Sequence, residues 1–231
     1  MGYTQSKQWI DIAEKFSSKI REEKEKVIIP ACMEVLTEYK NSLPHNSLAL
    51  DFGGGDGLIL SHLVPHNNFR WYYHDISLEQ EKTFRKKNDL TNITILNDID
   101  IKFNIIMCNH VVNCMENTSE LETLFKKLYS LLLMKGMLII TINHPLYIHK
   151  KHRYYSCAAT HLNYKDGSKL DTTIYDKVNE HLIFSDIYWS YDTILDVIGR
   201  TGFMCLRKKH INVPGWSYPS YLQLILTRSD A

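Results

Sequence analysis

The sequence predicts an α/β fold in which a mostly parallel sheet carries helices on both faces. Between residues 47 and 142, short apolar runs of strand length alternate with helix-like segments, and the links between them are short. Parallel strands need such crossover helices, which then cover both faces of the sheet. The other observation is a glycine-rich turn directly after the first apolar run, because open α/β sheets bind ligands where their strands end.

The first strand and its turn read Leu-Ala-Leu-Asp-Phe-Gly-Gly-Gly-Asp-Gly over residues 48–57. Glycine adopts positive φ angles without strain and has no Cβ, so the backbone can pass close under a ligand. A second apolar run, over residues 70–76, carries the carboxylate Asp75 at its end. A glycine turn after one strand and an acid after the next predict a site for a ribose-bearing cofactor.

The spacing of the glycines indicates which cofactor this is. Dinucleotide sites have the pattern Gly-x-Gly-x-x-Gly or Ala, and here Leu58 stands at the third position after Gly53 and Gly55. The pattern present is Gly53-x-Gly55-x-Gly57, headed by Asp51. It resembles motif I of the class I S-adenosylmethionine (SAM)-dependent methyltransferases. SAM contains no pyrophosphate, so it does not need the missing third glycine.

The resemblance implies a set of residues around SAM. Asp75 would accept hydrogen bonds from the ribose hydroxyls, since charge-assisted bonds are the stronger kind. Asp98 or its neighbour Ile99 would meet the adenine amino group after a third strand, and Asn109 would lie near the methionine end after a fourth. The predicted cofactor residues are Tyr3, Trp9, Asp51, Gly53, Gly55, Gly57, Asp75, Ile76, Asp98, Ile99 and Asn109. The alternative is an ordinary tight turn followed by an incidental acid.

The resemblance covers roughly residues 48–145. Apolar side chains at helical spacing predict a helix over residues 121–134, which Lys135-Gly136 ends. Ser190 is predicted to cap a later helix. The family's fold is a Rossmann-like sheet of seven strands in the order 3-2-1-4-5-7-6, with strand 7 antiparallel. Strands 5, 6 and 7 are expected over residues 137–142, 203–213 and 221–227.

The length of 231 residues fits one domain. Its expected parts are an N-terminal helical lid (1–46), a SAM-binding core (47–145), a substrate cap (146–189), and a C-terminal helix with strands 6 and 7 (190–231). Tyr3 and Trp9 would belong to the lid over the cofactor, although simple packing of Trp9 on the core is an equal alternative. Pro30 is expected to kink the second lid helix or to begin a new one.

The segment from residue 146 to residue 189 exceeds the minimal fold. Its many aromatic residues argue against disorder, and it leaves strand 5 at the edge where ligands bind. We therefore interpret it as a substrate cap, with a turn at Asp166-Gly167. An exposed elaboration or a dimer surface is the alternative. The predicted substrate-binding residues are Tyr147, Tyr154, Tyr188, Trp189 and Trp216.

Two histidines are candidates for a catalytic base. A hydroxyl nucleophile needs a base to take its proton, which contributes roughly 10²–10⁴ in rate, and histidine titrates near neutral pH. His144 directly follows strand 5 and is the first choice, and His110 directly follows strand 4. Each could equally be an ordinary loop histidine. A carboxylate or amine acceptor would need little help from a base, so that both histidines would only orient the substrate.

Composition excludes several classes of function. The chain has 27 basic and 26 acidic residues, so no overall field draws it to nucleic acid. Its five cysteines are odd in number and form no Cys-x-x-Cys, and no paired histidine motif occurs, so we expect neither a disulfide framework nor a metal. With no apolar run of membrane-spanning length and no signal peptide, a cytoplasmic protein without membrane contact is expected.

The sequence thus predicts a SAM-dependent methyltransferase that acts on an oxygen or nitrogen of a small-molecule metabolite. We expect S-adenosylhomocysteine (SAH) as its product and a monomer or homodimer as its state. An RNA or protein methyltransferase is the alternative within the same fold, supported by a basic cluster over residues 150–153. A catalytically silent SAM-binding partner subunit is another alternative, and a nicotinamide-dependent oxidoreductase is disfavoured by Leu58.

Overall fold

The structure is a computed structural model that describes residues 15, 18, 20–89, 91–158, 164–175 and 181–229. The predicted lid residues Tyr3 and Trp9 lie outside the described residues. The strands are β1 (Leu48–Phe52), β2 (Arg70–His74), β3 (Ile93–Ile95), β4 (Phe103–Asn109), β5 (Leu132–Asn143), β6 (Tyr155–Ala158), β7 (Lys169–Tyr175), β8 (His181–Ile187), β9 (Phe203–Ile211) and β10 (Tyr221–Arg228).

Seven of these strands form the central sheet, in the order β3-β2-β1-β4-β5-β10-β9. The strands from β1 to β5 run parallel to their neighbours, and β10 is antiparallel to both β5 and β9. With β9 and β10 as strands 6 and 7, this confirms the predicted order. The antiparallel strand enters the sheet at Tyr221, which pairs with Asn143 at the carboxyl end of β5.

Helices cover both faces of this sheet. They are α1 (Arg21–Glu23), α2 (Ile29–Tyr39), α3 (Leu58–Leu63), α4 (Leu78–Lys87), α5 (Thr118–Leu131) and α6 (Tyr191–Arg200), with a π-helical turn (Lys24–Ile28) between α1 and α2. Successive residues of β4 alternate between the two layers. Ile105 and Met107 belong to the apolar cluster with α2 and α3, whereas Ile106 belongs to the cluster with α5 and α6. A strand that is covered on both faces needs apolar side chains at successive positions, since these point to opposite faces of the sheet.

The boundary between α5 and β5 differs from the prediction. The helix ends at Leu131, and β5 begins at Leu132. Lys135 has a φ of 61° and, with Gly136, stands where the register between β4 and β5 shifts. The Lys-Gly pair therefore marks a bulge within the strand instead of the end of the helix. Left-handed backbone serves both features, so the two residues alone do not distinguish them.

A second, smaller sheet lies between β5 and α6 in the chain. Its three strands are antiparallel in the order β6-β7-β8. Gly167, in the predicted turn, lies between β6 and β7 and has a φ of 81°, and its N–H donates to the carbonyl of Tyr188 at 2.9 Å. None of the described helices has both the length and the apolar surface needed to cross a lipid bilayer.

Candidate active site

The loop after β1 takes its shape from three glycines in the left-handed region. Gly53, Gly55 and Gly57 have φ angles of 70°, 59° and 72°. The Gly53 N–H donates to the carbonyl of His74, and the Gly55 N–H donates to Oδ2 of Asp75, each at 2.8 Å. These two hydrogen bonds join the end of β1 to the end of β2 and fix the backbone of the loop.

Asp75 organises the turn after β2 as well. Its Oδ1 accepts the N–H of Ser77 at 2.7 Å, while Oδ2 accepts from Gly55. Burial raises the pKa of Asp75, although the two N–H groups oppose this rise. A carboxylate oxygen has more than one lone-pair direction, so both oxygens retain capacity for a ligand.

A cavity of about 220 Å³ lies at the carboxyl ends of β1, β2 and β4. Six of the predicted cofactor residues line it, and so does His110. The six are Asp51, Gly53, Gly55, Asp75, Ile76 and Asn109. The two neighbouring strands of the sheet thus bring the glycine loop and Asp75 together, as the crevice rule for open sheets predicts.

Three predicted cofactor residues do not line this cavity. Gly57 lies under the ring of Phe84, so close that a Cβ at position 57 would stand 2.0 Å from the ring carbon Cδ2. Asp98 is exposed beyond the end of β3, and Ile99 packs against the apolar cluster that contains α5. The strand β3 is only three residues long, Ile93–Ile95, so the chain leaves the sheet before it reaches Asp98.

Three polar atoms in the walls of the cavity lack partners. Oδ2 of Asp51, Oε1 of Gln80 and Nδ2 of Asn109 are buried without a hydrogen bond to any part of the chain that the structure describes. Burial raises the pKa of Asp51 to about 7, a rise that Lys24 opposes and Asp75 strengthens. Unpaired buried polar groups are rare in native proteins and are costly unless a ligand or ordered water satisfies them.

Lys24 reaches the same cavity from the π-helical turn. Its Nζ lies 2.9 Å from Oδ1 of Asp56, and both side chains are buried. Burial alone would raise the pKa of Asp56, but Lys24 and the Leu58 N–H lower it below its ordinary value. The pair fixes a positive charge at the cavity wall, at the kind of helix irregularity that recurs at functional sites.

A second, smaller cavity of about 40 Å³ adjoins the first. The two share Ile20 and His110 as lining residues. Its polar wall comes from α1, the residue after β4, β5 and the three strands of the small sheet. The polar lining residues are Glu23, His110, Asn143, Tyr155, Thr172 and Asp186.

His110 lies between the two cavities. Its φ of 60° is unusual for a residue with a Cβ, and such strained positions concentrate at functional sites. Its N–H donates to the carbonyl of Thr141 at 2.8 Å, and its ring packs edge-on against Tyr221. Burial and the charge of Lys24 lower the pKa of His110 to about 4, so its ring is neutral at pH 7 and has a nitrogen free to accept a proton.

His144 lines neither cavity. It is buried, and its Nε2 lies 2.8 Å from Nδ1 of His210, while its Nδ1 accepts from the N–H of Leu146 at 3.3 Å. Burial, together with the neighbouring His210 and His152, lowers the pKa of His144 to about 4. Both ring nitrogens thus contact other groups of the protein, away from the junction of the cavities.

Solved methyltransferase structures resemble this chain over most of its length. A SAM-dependent methyltransferase from Clostridium acetobutylicum ATCC 824 has a TM-score of 0.66 at 16% identity, covering 96% of this chain and 99% of that one. The glycopeptide N-methyltransferase MtfA in complex with SAM has a TM-score of 0.62 at 11% identity, covering 85% and 93%. The CcbJ methyltransferase from Streptomyces caelestis has a TM-score of 0.60 at 11% identity, covering 83% and 87%. No protein-family model and no curated protein matches the sequence.

This chain has the class I SAM-dependent methyltransferase fold. Within that fold, the five aromatic residues predicted to bind substrate line neither cavity. Tyr147 stacks on Tyr218, and Tyr188 packs against Tyr164. Tyr154 and Trp216 pack against the cluster that contains α2. Trp189 contacts one residue that lines the large cavity, because its Nε1 donates to the carbonyl of Met115.

Several lining residues in this methyltransferase fold were not predicted. Lys24 and Glu23 lie in the segment that was expected to be a helical lid, and no motif in the sequence marked either residue. Asp186, Thr172 and Tyr155 lie in the small sheet, where only alternation of buried and exposed positions could have pointed to them. Within the described ranges, no cluster of three or more His, Cys, Asp or Glu side chains is placed to hold a metal ion.

Proposed function

We propose that this chain is a methyltransferase that binds SAM in the large cavity and transfers its methyl group to an oxygen or nitrogen of a small molecule in the second cavity. The observation that carries the proposal is the set of unpartnered buried polar atoms on Asp51, Gln80 and Asn109 beside the glycine loop. Their chemistry fits a ligand that brings both hydrogen-bond donors and acceptors, as SAM does.

Each part of SAM has a complementary group on this wall. Asp75 would accept hydrogen bonds from the ribose hydroxyls. The free oxygen of Asp51 suits the amino group of the methionine part, and the fixed charge of Lys24 suits its carboxylate. The space beside Gly55 leaves room for a ligand, since a Cβ built at this position would have only Oε1 of Gln80 within 4 Å, at 3.9 Å.

Bound SAM supplies an electrophilic methyl group, whose bond to sulfur breaks as an acceptor lone pair takes the carbon. The protein must hold the acceptor atom in line with that bond. His110 stands at the junction of the cavities and is neutral at pH 7, so it can take a proton from the acceptor or orient it. His144, engaged with His210, is the weaker candidate for this role.

Similar folds support the proposal. MtfA is a glycopeptide N-methyltransferase whose structures hold SAM in one complex and SAH in another. The basic clusters of this chain give little support to an RNA substrate. In the cluster over residues 150–153, Arg153 lies 3.8 Å from Glu22 and Lys151 lies over the ring of Tyr175, so part of its charge is already engaged within the protein.

Titration calorimetry with SAM, SAH and NAD tests the proposal. We expect SAM and SAH to bind and NAD not to bind. Asp75→Ala should weaken SAH binding by at least about tenfold, because hydrogen bonds to a charged group are worth roughly 1.5–3 kcal/mol. Asp171→Ala is the matched control, since Asp171 is exposed on β7 and lines neither cavity. A folded protein that binds neither SAM nor SAH would refute the proposal.

A further inference from the structure

Two buried carboxyl groups face the second cavity. Glu23 comes from α1 and is 5% exposed, and Asp186 comes from β8 and is 6% exposed. The two are close enough that the charge of Asp186 raises the pKa of Glu23. Placing two acids together in a cavity of low dielectric is costly unless something in the cavity offsets their charge.

The two acids differ in their hydrogen bonds. Oδ2 of Asp186 accepts from Nδ2 of Asn143 at 3.0 Å and from the hydroxyl of Thr172 at 2.9 Å. Glu23 receives no hydrogen bond from any residue that the structure describes. The nearby hydroxyl of Tyr155 is not available to it, because that hydroxyl donates to the carbonyl of Ser220 at 2.6 Å. Asp186 is thus a fixed acceptor, and Glu23 is a buried acid that faces the cavity without a donor.

Among the described residues, protein cations offset the charge of this pair only in part, because Lys24 opposes the rise in the pKa of Glu23. Lys24 is adjacent to Glu23 but is held by Asp56 in the wall of the other cavity. His110, the remaining base of the second cavity, is neutral at pH 7. Burial raises the pKa of Glu23 to about 8, and burial raises that of Asp186 to about 7. A bound cation would supply a counter-charge and let both acids ionise, whereas an anion would oppose their ionisation. The cavity therefore favours a cation over an anion.

The opposite wall of the cavity is apolar. Ile20, Ile174 and Phe184 form a small buried cluster of their own, and all three line the cavity. Its volume of about 40 Å³ holds only a few heavy atoms, since one water needs roughly 10–15 Å³ on this measure. The group that enters is therefore small and polar at one end, with an apolar part beside it.

We infer that the second cavity binds the amino group of the methyl acceptor, so that the substrate is a primary or secondary amine with an apolar substituent and the reaction is N-methylation. This inference rests on the proposed function. The amine enters as an ammonium ion, and Glu23 releases its own proton to solvent, so that a carboxylate faces the ammonium. One N–H bond then breaks, and its proton passes to that carboxylate. The nitrogen keeps a hydrogen bond to Asp186, and its freed lone pair forms the bond to the methyl carbon as the methyl–sulfur bond breaks and its electrons remain on sulfur.

Three probes with one carbon skeleton test the inference on the full-length protein. Benzylamine, benzyl alcohol and benzoate are titrated at pH 8 against wild-type protein saturated with SAH, by calorimetry and by thermal shift. We expect benzylamine to bind at least about tenfold more tightly than benzyl alcohol, and benzoate to bind more weakly still. With SAM in place of SAH, only benzylamine should give a methylated product.

Variants connect this preference to the two acids. Glu23→Gln and Asp186→Asn should each weaken benzylamine binding by at least about tenfold while changing the affinity for SAH less than twofold. Glu25→Gln and Asp171→Asn, at positions that line neither cavity, are the matched controls and should bind both ligands as the wild type does.

The wild-type comparison decides the matter even if a variant does not fold. Wild-type protein that binds SAH but shows equal affinity for the amine and the alcohol, or affinity for neither, overturns the inference and leaves the proposed function standing. Failure of SAH to bind removes both. A preference for benzoate would also overturn the inference, because two buried acids repel a carboxylate.

Discussion

Gly57 has a structural task in the packing between the glycine loop and α4. It begins α3 with a φ of 72°, and a Cβ there would stand 2.0 Å from Cδ2 and 2.4 Å from Cε2 of Phe84. The Phe84 ring is itself fixed, because it stacks on Tyr73 at 3.9 Å. We expect Gly57→Ala to lower the free energy of unfolding by about 2–4 kcal/mol, since overpacking and left-handed strain add. Urea denaturation measures this loss.

Gly199→Ala is the matched comparison for that substitution. Gly199 lies within α6, and a Cβ there would meet nothing within 4 Å. Because alanine is the better helix former, this variant should be more stable than the wild type by about 0.5–1 kcal/mol. Equal effects of the two substitutions would show that the space around each glycine does not control the outcome.

His110 is the residue whose position connects the two cavities. We expect His110→Ala to lower the rate of methyl transfer by roughly 10²-fold, because misplacing the acceptor by about 1 Å costs that much, while the affinity for SAH changes less than twofold. Steady-state kinetics and calorimetry measure the two quantities separately. The exposed His45, replaced by alanine, is the control. A His110 variant that keeps full turnover would exclude this histidine from the chemistry.

At the scale of elements, the N-terminal helical segment places neighbouring residues beside different cavities, because adjacent residues of a helix do not share a face. Lys24 lines the large cavity and Glu23 the small one. The Ile29 N–H bonds to the carbonyl of Lys24, five residues back, and Pro30 follows in the first turn of α2. Proline has no N–H to continue the earlier pattern, so a π-helical turn before it keeps the helix continuous.

The small sheet is attached to α6 through one aspartate. Asp166 accepts from the backbone N–H and hydroxyl of Ser190 and from the hydroxyl of Thr193. Ser190 in turn caps the helix, as predicted, by accepting the Thr193 N–H at 3.3 Å.

Replacing Asp166 tests this attachment. Asp166→Ala should lower the free energy of unfolding by about 1–2 kcal/mol, because the variant loses the hydrogen bonds that the Asp166 carboxylate accepts at the N-terminus of α6. Asp196→Ala, which removes an exposed ion pair with Arg200 on the same helix, should cost less than about 0.5 kcal/mol. Thermal denaturation compares the two variants. A larger loss in the Asp196 variant would contradict the proposed attachment.

For the whole molecule, the buried acids make stability depend on pH. Burial raises the pKa of Glu23 to about 8 and those of Asp51 and Asp186 to about 7. The folded protein therefore keeps protons that the unfolded chain has already released, so stability falls as pH rises through this range. The lowered pKa values of His110 and His144, about 4 against an ordinary 6.5, act in the opposite sense but only below pH 6.5.

We therefore expect the melting temperature to fall between pH 6.5 and pH 8.5, by roughly 5–10 °C. Glu23→Gln should flatten this slope, because the variant has no proton to lose at that position. Glu25→Gln should keep the wild-type slope. A melting temperature that rises with pH across this range would mean that the acids are ionised throughout.

The strand order, the glycine loop and the placement of Asp75 were predictable because each depends on local pattern. Apolar periodicity defines the strands, and the crossover rule then determines how they are ordered. The exceptions are equally local in origin. A helix end and a β-bulge both use left-handed backbone, so the Lys135-Gly136 pair is compatible with either feature. The strand β3 ends at Ile95, before the chain reaches Asp98.

The sequence by itself determined that this chain forms a methyltransferase-like sheet with a glycine loop and an acid at the ends of β1 and β2, since those features follow from residues close together along the chain. Only the tertiary structure decided what stands beside that cavity. Glu23 and Asp186 lie far apart in sequence, and they meet because a wide helical turn and a three-stranded sheet pack over the end of β5. Local sequence patterns do not indicate that these two residues come together, because their proximity depends on how the elements pack against one another.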